Sequence, residues 1–456
     1  MRIRVTPGGR LQGAVRVDGD KSIAHRWLIL ASTASSPSRL TGLPSSLDVR
    51  STASCLAELT VKARPALDLW ARNASSWVEG GGSTWNDTTA VVSNGTLEVE
   101  GEGRAGLVQP GRHLDCGNSG TSMRLLTGLL APAPFTATLI GDRSLSARPM
   151  ERVAAPLRRM GATVQTTDGH PPVVVTGGAL LGIEHRMEVP SAQVKGALLL
   201  AGVGASGETF VVEPATTRDH TERALGALGA PVRREGLRVG IARFQHEGFD
   251  VAVPGDPSSA AFVIAGAALT GSQASVEGVG LNPTRLQFLQ VLSRMGVETD
   301  TSVESEQLGE PVGSIHLAST AALSSTTVRA DELPLVIDEI PVLAMLGAHA
   351  PGETRFLGAS ELRVKESDRL TVLVRGIRAL GGHAAAEADD LVVAGGGLRG
   401  GVASSGGDHR LAMAFAVGSL AADRPSEVEG VEAAAVSFPG FVEVLRSMGA
   451  AIEVIG

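Results

Sequence analysis

The chain has 456 residues, enough for two or three domains and a large core. Its net charge of −8 and isoelectric point of about 5.8, with no basic stripe or tail, argue against nucleic acid as a partner. There is no apolar signal core and no apolar run near the ~18 residues a membrane span needs, and Cys55 and Cys116 give neither metal spacing nor a disulfide framework, so the expectation is a soluble, cytoplasmic protein without metal.

Taken from the N-terminus, two kinds of helical run alternate. One kind is apolar on nearly all faces and therefore reads as buried: it starts at His25, Ser122, Ala192, Ser258, Asp338 and Asp408. The other is amphipathic and ends in Leu or Met followed by Gly, at Gly161, Gly229, Gly296, Gly381 and Gly449, with a period close to 68 residues that is interrupted once. The glycine reads as the helix C-cap and the Val or Ile that follows as the start of a strand. A sixth exposed helix is expected at Ser51–Thr60. Short β-rich stretches such as PPVVVTG and FDVAVPG lie between the helices. The result is an α/β chain with a sixfold internal repeat. A solenoid is disfavoured, because its helices would keep an exposed face. The first unit carries an excursion over residues 61–113 that holds a Gly triplet and a hairpin signal at Asn94-Gly95.

Each buried run opens with a polar cluster: GDKSIAHR from Gly19, CGNSGTSMR from Cys116, SAQVK from Ser191, GDPSS from Gly255, IDEIP from Ile337 and GDHR from Gly407. Several amphipathic runs open alike, with DRSLSARPM from Asp142, TTRDHTER from Thr216 and KESDR from Lys365. Any one of these can be simple capping. Nine on one periodic scaffold, most with Lys or Arg, point to small, multiply charged anions held at helix N-termini. The densest is Glu361 to Leu370, ELRVKESDRL. It precedes an amphipathic run, Leu370 to Leu380, for whose start Ser367 and Asp368 are candidate caps; if the segment is helical from Lys365, then Lys365 and Arg369 share a face and Glu366 points about 100° away.

In this order, the motifs GDKSxxHR, NSGTSMRL, RPM, SAQVKGALLLAG, TRDHTE, GDPSSAAF, DEIP, ELRVKESDR, DHRLAMA and SFPGF resemble the EPSP synthase (3-phosphoshikimate 1-carboxyvinyltransferase) family, over nearly the whole chain outside 61–113. The resemblance implies the enolpyruvyl transferase fold, an inside-out α/β barrel of two domains with three βαβαββ units each: residues 20–255, and residues 1–19 with 256–456, hinged near 19–21 and 254–256. It implies transfer of the enolpyruvyl group of phosphoenolpyruvate to the 5-hydroxyl of shikimate 3-phosphate, without cofactor or metal, by a monomer. Carried over by motif, Lys21, Ser22, Arg26, Ser191, Ala192, Gln193, Arg218, Asp338 and Lys365 look like shikimate 3-phosphate contacts. Lys21, Gly120, Arg148, Gln193, Arg369 and Arg410 look like phosphoenolpyruvate contacts. Asp338 and Glu366, with Lys21, look catalytic. Arg124 and His409 are taken as structural, since buried polar groups mostly serve hydrogen bonding, and Cys116 as a small packing residue.

Two positions depart from the pattern of many relatives: Ala435-Val436-Ser437 lacks a lysine before Phe438, and Ala192 stands where a second serine is common. The rival in the same fold, a UDP-N-acetylglucosamine enolpyruvyl transferase, usually has Asn at the place of Ser22 and a Cys in the loop that reads RSLSARPM here. A non-catalytic binder of phosphorylated metabolites would keep the arginines and lose Asp338, Lys365 and Glu366, which are all present.

Overall fold

The computed structural model describes residues 1–73, 95–320 and 322–456. The Asn94-Gly95 turn signal falls partly outside them. The described chain divides into two compact units: residues 1–18, 254–305 and 311–456, and residues 19–253 with 306–310. Each has its own hydrophobic core.

Six sheets are seen among the described residues, five of four strands and one of three. They share one plan, of which the three-stranded sheet shows the first three strands among the described residues. A short first strand lies parallel to a second, a third runs antiparallel to the second, and a fourth runs antiparallel to the third. In one sheet these are Leu114–Asp115, Thr136–Ile140, His170–Thr176 and Thr163–Thr167. In another they are Thr327–Val328, Glu353–Phe356, Asp390–Ala394 and His383–Glu387. A parallel pair needs a crossover, and here that crossover carries the buried helix: Gly120–Leu130 in the first case and Ile340–His349 in the second. The amphipathic helix follows the second strand and ends on its glycine. Gly161, Gly229, Gly296, Gly381 and Gly449 all have positive φ, the left-handed turn that a residue without Cβ adopts at least cost.

At two places the plan is completed by exchange. The first strand Gly13–Arg16 pairs with Ala274–Gly280, although the next helix in the chain is Lys21–Thr33. Conversely Asp250–Ala252 pairs with Pro37–Thr41 and is followed by the helix Pro257–Leu269. A third exchange closes the last unit. The N-terminal strand Arg2–Thr6 lies between Ser426–Glu429 and Ala451–Val454 and pairs antiparallel with both.

The buried helices touch backbone to backbone. A Cβ on Gly128 would come within 2.1 Å of the Ala197 carbonyl oxygen, so only Gly lets the Gly120 and Ala192 helices approach this closely.

Three sequence expectations change. The helix expected at Ser51–Thr60 spans Leu47–Leu59 and is mostly buried, because the helix Arg64–Asn73 packs over it. The flanks of the 61–113 excursion are built into the fold. Leu97–Glu100 is a sheet strand, Trp70 is 5% exposed, and Arg104 donates to the Leu200 carbonyl at 2.7 Å. Third, the charged stretch is not helical from Lys365. It forms a 3-10 turn over Ala359–Val364, Lys365 is extended, and the helix starts at Arg369. Asp368 fixes that start by accepting from the Thr371 amide at 3.1 Å, so the face shared by Lys365 and Arg369 does not exist.

Candidate active site

Capping explains part of most of the polar clusters. Asp20, Ser119, Ser191 and Asp408 each accept a backbone N–H of the helix they precede. That leaves the residues just after each cap to point elsewhere.

In the unit of residues 19–253 and 306–310, Lys21 begins the Lys21–Thr33 helix and its ammonium lies 2.9 Å from Asp48 Oδ2. One turn on, Arg26 is 3% exposed; it donates to the Ser22 carbonyl and to Thr221 Oγ1, both at 2.7 Å. Burial pulls its guanidinium down to about 10, against the opposing fields of Glu222 and Asp20; Arg218 adds to the pull. Arg26 and Arg218 therefore feel each other's charge, an arrangement that suits an anion.

A second group in this unit gathers around Gly120, the first residue of its helix. A Cβ there would lie 3.0 Å from Arg124 Nη1 and 3.1 Å from Arg148 Nη1. Arg124 also donates to Gln193 Oε1 and to the Pro149 carbonyl, and Gln193 donates to Thr121 Oγ1 at 2.8 Å. Arg148 donates to Asn118 Oδ1 at 2.8 Å. Gly120, Arg148 and Gln193 thus come together, and so does Arg124, which the sequence left as a structural residue. Ser191 caps the Ala192–Gly202 helix through Val194, and Ala192 is that helix's first residue.

Behind both groups runs a buried hydroxyl chain: His25 Nδ1 to Thr52 Oγ1 at 2.7 Å, Thr52 to Ser122 at 2.6 Å, and Ser122 to Ser119 at 2.7 Å. Burial holds the His25 imidazole well below its ordinary range, and Lys21 and Arg26 add to this. Cys116 is buried beside Cys55, and a hydrogen bond with that thiol together with burial pushes its own thiol well up, the opposite of an activated nucleophile.

In the other unit, Arg369 is 1% exposed and faces three carboxylates. Its Nε donates to Asp408 Oδ2 at 2.7 Å, Nη1 reaches Asp338 Oδ1 at 3.4 Å, and Nη2 donates to Glu366 Oε2. Arg410 Nε also lies 3.4 Å from Asp338 Oδ1, and its Nη1 donates to the Asp338 carbonyl at 3.2 Å. Asp338 therefore does not cap the Ile340 helix; it links two arginines. Burial alone would lower the Arg369 guanidinium, but Asp408, Glu366 and Asp338 together raise it, so it stays charged. Burial lowers the Lys365 ammonium, with Asp338 opposing and Arg369 assisting. Asp338, Lys365, Glu366, Arg369 and Arg410 thus form one cluster of alternating charge.

Asp48 and Asp408 were not singled out as site residues in the sequence. Asp408 had a signal, since it stands in the polar start of its helix. Asp48 had none, because its partner Lys21 is distant in sequence.

The EPSP synthase (3-phosphoshikimate 1-carboxyvinyltransferase) family model matches residues 5–78 and 85–445. The chain belongs to the EPSP synthase family. The match runs through most of the 61–113 excursion, so the family pattern extends further than the motifs alone indicate. A protein of Halorhodospira halophila named 3-phosphoshikimate 1-carboxyvinyltransferase is 45% identical, over 99% of this chain and 97% of its own. One of the same name from Nitrosococcus oceani is 44% identical, over 99% and 97%. Among solved structures, the EPSP synthase of Acinetobacter baumannii aligns over the whole of both chains with a TM-score of 0.83 and 38% identity. The enolpyruvyl transferase NikO of Streptomyces tendae covers 99% of this chain and 98% of its own at a TM-score of 0.73; at 21% identity it shares the fold. The family fold is thus the one the sequence resemblance implied. Among the described residues, no helix is long and apolar enough to cross a membrane.

Proposed function

We propose that this family member joins shikimate 3-phosphate to phosphoenolpyruvate. The 5-hydroxyl adds to C2 of the enolpyruvyl group while C3 takes a proton, and the tetrahedral adduct then loses phosphate and a C3 proton. Such chemistry asks for cations on two phosphates and two carboxylates and for groups that carry protons. In this reading Lys21, Ser22, Arg26, Ser191, Ala192, Gln193, Arg218, Asp338 and Lys365 hold shikimate 3-phosphate. Lys21, Gly120, Arg148, Gln193, Arg369 and Arg410 hold phosphoenolpyruvate. Asp338 and Glu366 move the protons, with Lys21 assisting.

The observation that supports this most is the pair of carboxylates on Arg369. Asp338 and Glu366 keep 17% and 18% side-chain exposure while the guanidinium they share is sealed at 1%. A carboxylate fixed in place by a buried cation, and itself still partly exposed, is positioned to exchange a proton with a ligand. We further take the enzyme to act in the cytoplasm as a monomer on these two small molecules. The test is phosphate release with phosphoenolpyruvate and either shikimate 3-phosphate or UDP-N-acetylglucosamine. Release with the first acceptor and none with the second is expected; the reverse would transfer the chain to the sister activity.

A further inference from the structure

We infer that Lys195 is a positioning residue for shikimate 3-phosphate, acting through the segment that carries Arg218. This rests on the functional reading above. Lys195 lies in the first turn of the Ala192–Gly202 helix, shortly after Ser191 and Gln193. Its side chain is wholly buried, with Nζ 2.9 Å from Glu213 Oε2 and 2.7 Å from Glu222 Oε1. Glu213 also accepts a hydrogen bond from the Thr217 hydroxyl, and Glu222 belongs to the helix His220–Ala227. The stretch from Glu213 to Glu222 is therefore fastened at both ends to one ammonium, and Arg218 lies within it.

Other contacts lock the same stretch. Arg26 donates to Thr221 Oγ1. A Cβ on Gly196, the neighbour of Lys195, would meet that hydroxyl at 2.8 Å. His220 Nδ1 meets Glu310 Oε1 at 2.8 Å, both side chains being buried. The residues that carry the expected phosphate contacts thus sit on two elements joined by a buried charge cluster.

Stability does not account for that cluster. Taking an ammonium and two carboxylates out of water is costly, and apolar residues of the same volume often fold as well or better. Burial correspondingly raises the Glu213 carboxyl, against the field of Lys195. What an ionic cluster adds over an apolar one is a fixed mutual geometry, and a binding site needs that from the shell behind its contacts.

The experiment uses the full-length enzyme and two variants, Glu222→Gln and Lys195→Met. Shikimate 3-phosphate binding is measured by calorimetry without phosphoenolpyruvate, alongside both KM values and kcat. Glu222→Gln keeps the side chain's shape and removes one charge, so it is expected to fold even if the two buried carboxylates left unbalanced in Lys195→Met prove too costly. We expect shikimate 3-phosphate to bind about tenfold more weakly to Lys195→Met and about threefold more weakly to Glu222→Gln, with the KM for phosphoenolpyruvate within about twofold. A cluster that only balanced charge would give the opposite sign, because losing a carboxylate near Arg26 tightens an anion. One that only stabilised the fold would lower the melting temperature and leave affinity alone. Unchanged or tighter binding in Glu222→Gln overturns the inference while leaving the functional reading in place; no binding by the unmodified enzyme overturns both.

Discussion

Asp408 holds Arg369 from the side while capping the helix that carries Arg410. The Nε–Oδ2 distance is 2.7 Å, and the two side chains are 1% and 0% exposed. The other carboxylate oxygen of Asp408 accepts the Arg410 amide at 2.9 Å. One buried residue thus orients one arginine by its guanidinium and the other by its backbone. Asp408→Ala should cost about 3–5 kcal/mol, the usual loss when one partner of a buried pair is removed. Asp408→Asn should cost distinctly less, since an amide still caps. Urea unfolding of the two variants checks this; equal losses would mean that the ion pair, which both variants lose, and not the cap, is what matters.

Glu366 stands against Arg369 and is assigned a proton. Glu366→Gln retains the shape and cannot titrate. Turnover should fall by roughly 10² to 10⁴, the usual contribution of a positioned acid or base, while shikimate 3-phosphate still binds. Asp338→Asn should behave similarly. Near-normal turnover in a folded Glu366→Gln enzyme would reduce this carboxylate to a counter-charge.

Gly120→Ala puts a methyl 3.0 Å from Arg124 Nη1 and 3.1 Å from Arg148 Nη1. Both are ends of flexible side chains, so the fold should survive with both guanidiniums displaced by a few tenths of an ångström. The KM for phosphoenolpyruvate should rise by about tenfold, equivalent to ~1.4 kcal/mol, with the KM for shikimate 3-phosphate little changed. Equal rises in both would show that the methyl disturbs more than these two arginines.

His25 supplies a pH dependence whose sign is fixed by its environment. Its folded pKa lies well below the ordinary value through burial, with Lys21 and Arg26 assisting. As pH falls below about 6.5, the unfolded chain takes up a proton that the native state refuses. Stability therefore falls with acidification below about 6.5, by at most ~1.4 kcal/mol per pH unit from this group, and is unaffected by it above. Comparing urea midpoints at pH 7.5 and 5, the unmodified protein should lose more than His25→Gln. Parallel losses would assign the acid sensitivity to other groups.

Local chemistry was readable from the sequence because its partners are close in the chain. Gly161 and Gly381 end helices by their own backbone, and Asp20 and Ser191 cap residues three positions away. Motif order likewise carried the family. What escaped depended on partners that only folding brings near. Lys21 meets Asp48 across a helix and a strand, and Arg104 reaches Leu200 from within a stretch that looked like an insertion. A face shared by Lys365 and Arg369 required a helix running from Lys365. Asp368, one of the two caps the sequence offered, starts the helix at Arg369 instead.

The strand Arg2–Thr6 pairs with Ser426–Glu429 and Ala451–Val454, and this has a consequence during synthesis. Arg2–Thr6 leaves the ribosome long before the two strands it pairs with, which lie at the far end of the sequence order from it. At ~5–20 residues per second, it waits on the order of tens of seconds for its neighbours. Ile3 and Val5, each 0% exposed at the end, spend that interval in water or on a chaperone. Residues 19–253, nearly a whole unit, can meanwhile pack behind them. The intervening residues can therefore fold before this sheet does, and the strand Arg2–Thr6 acts as its closing stitch.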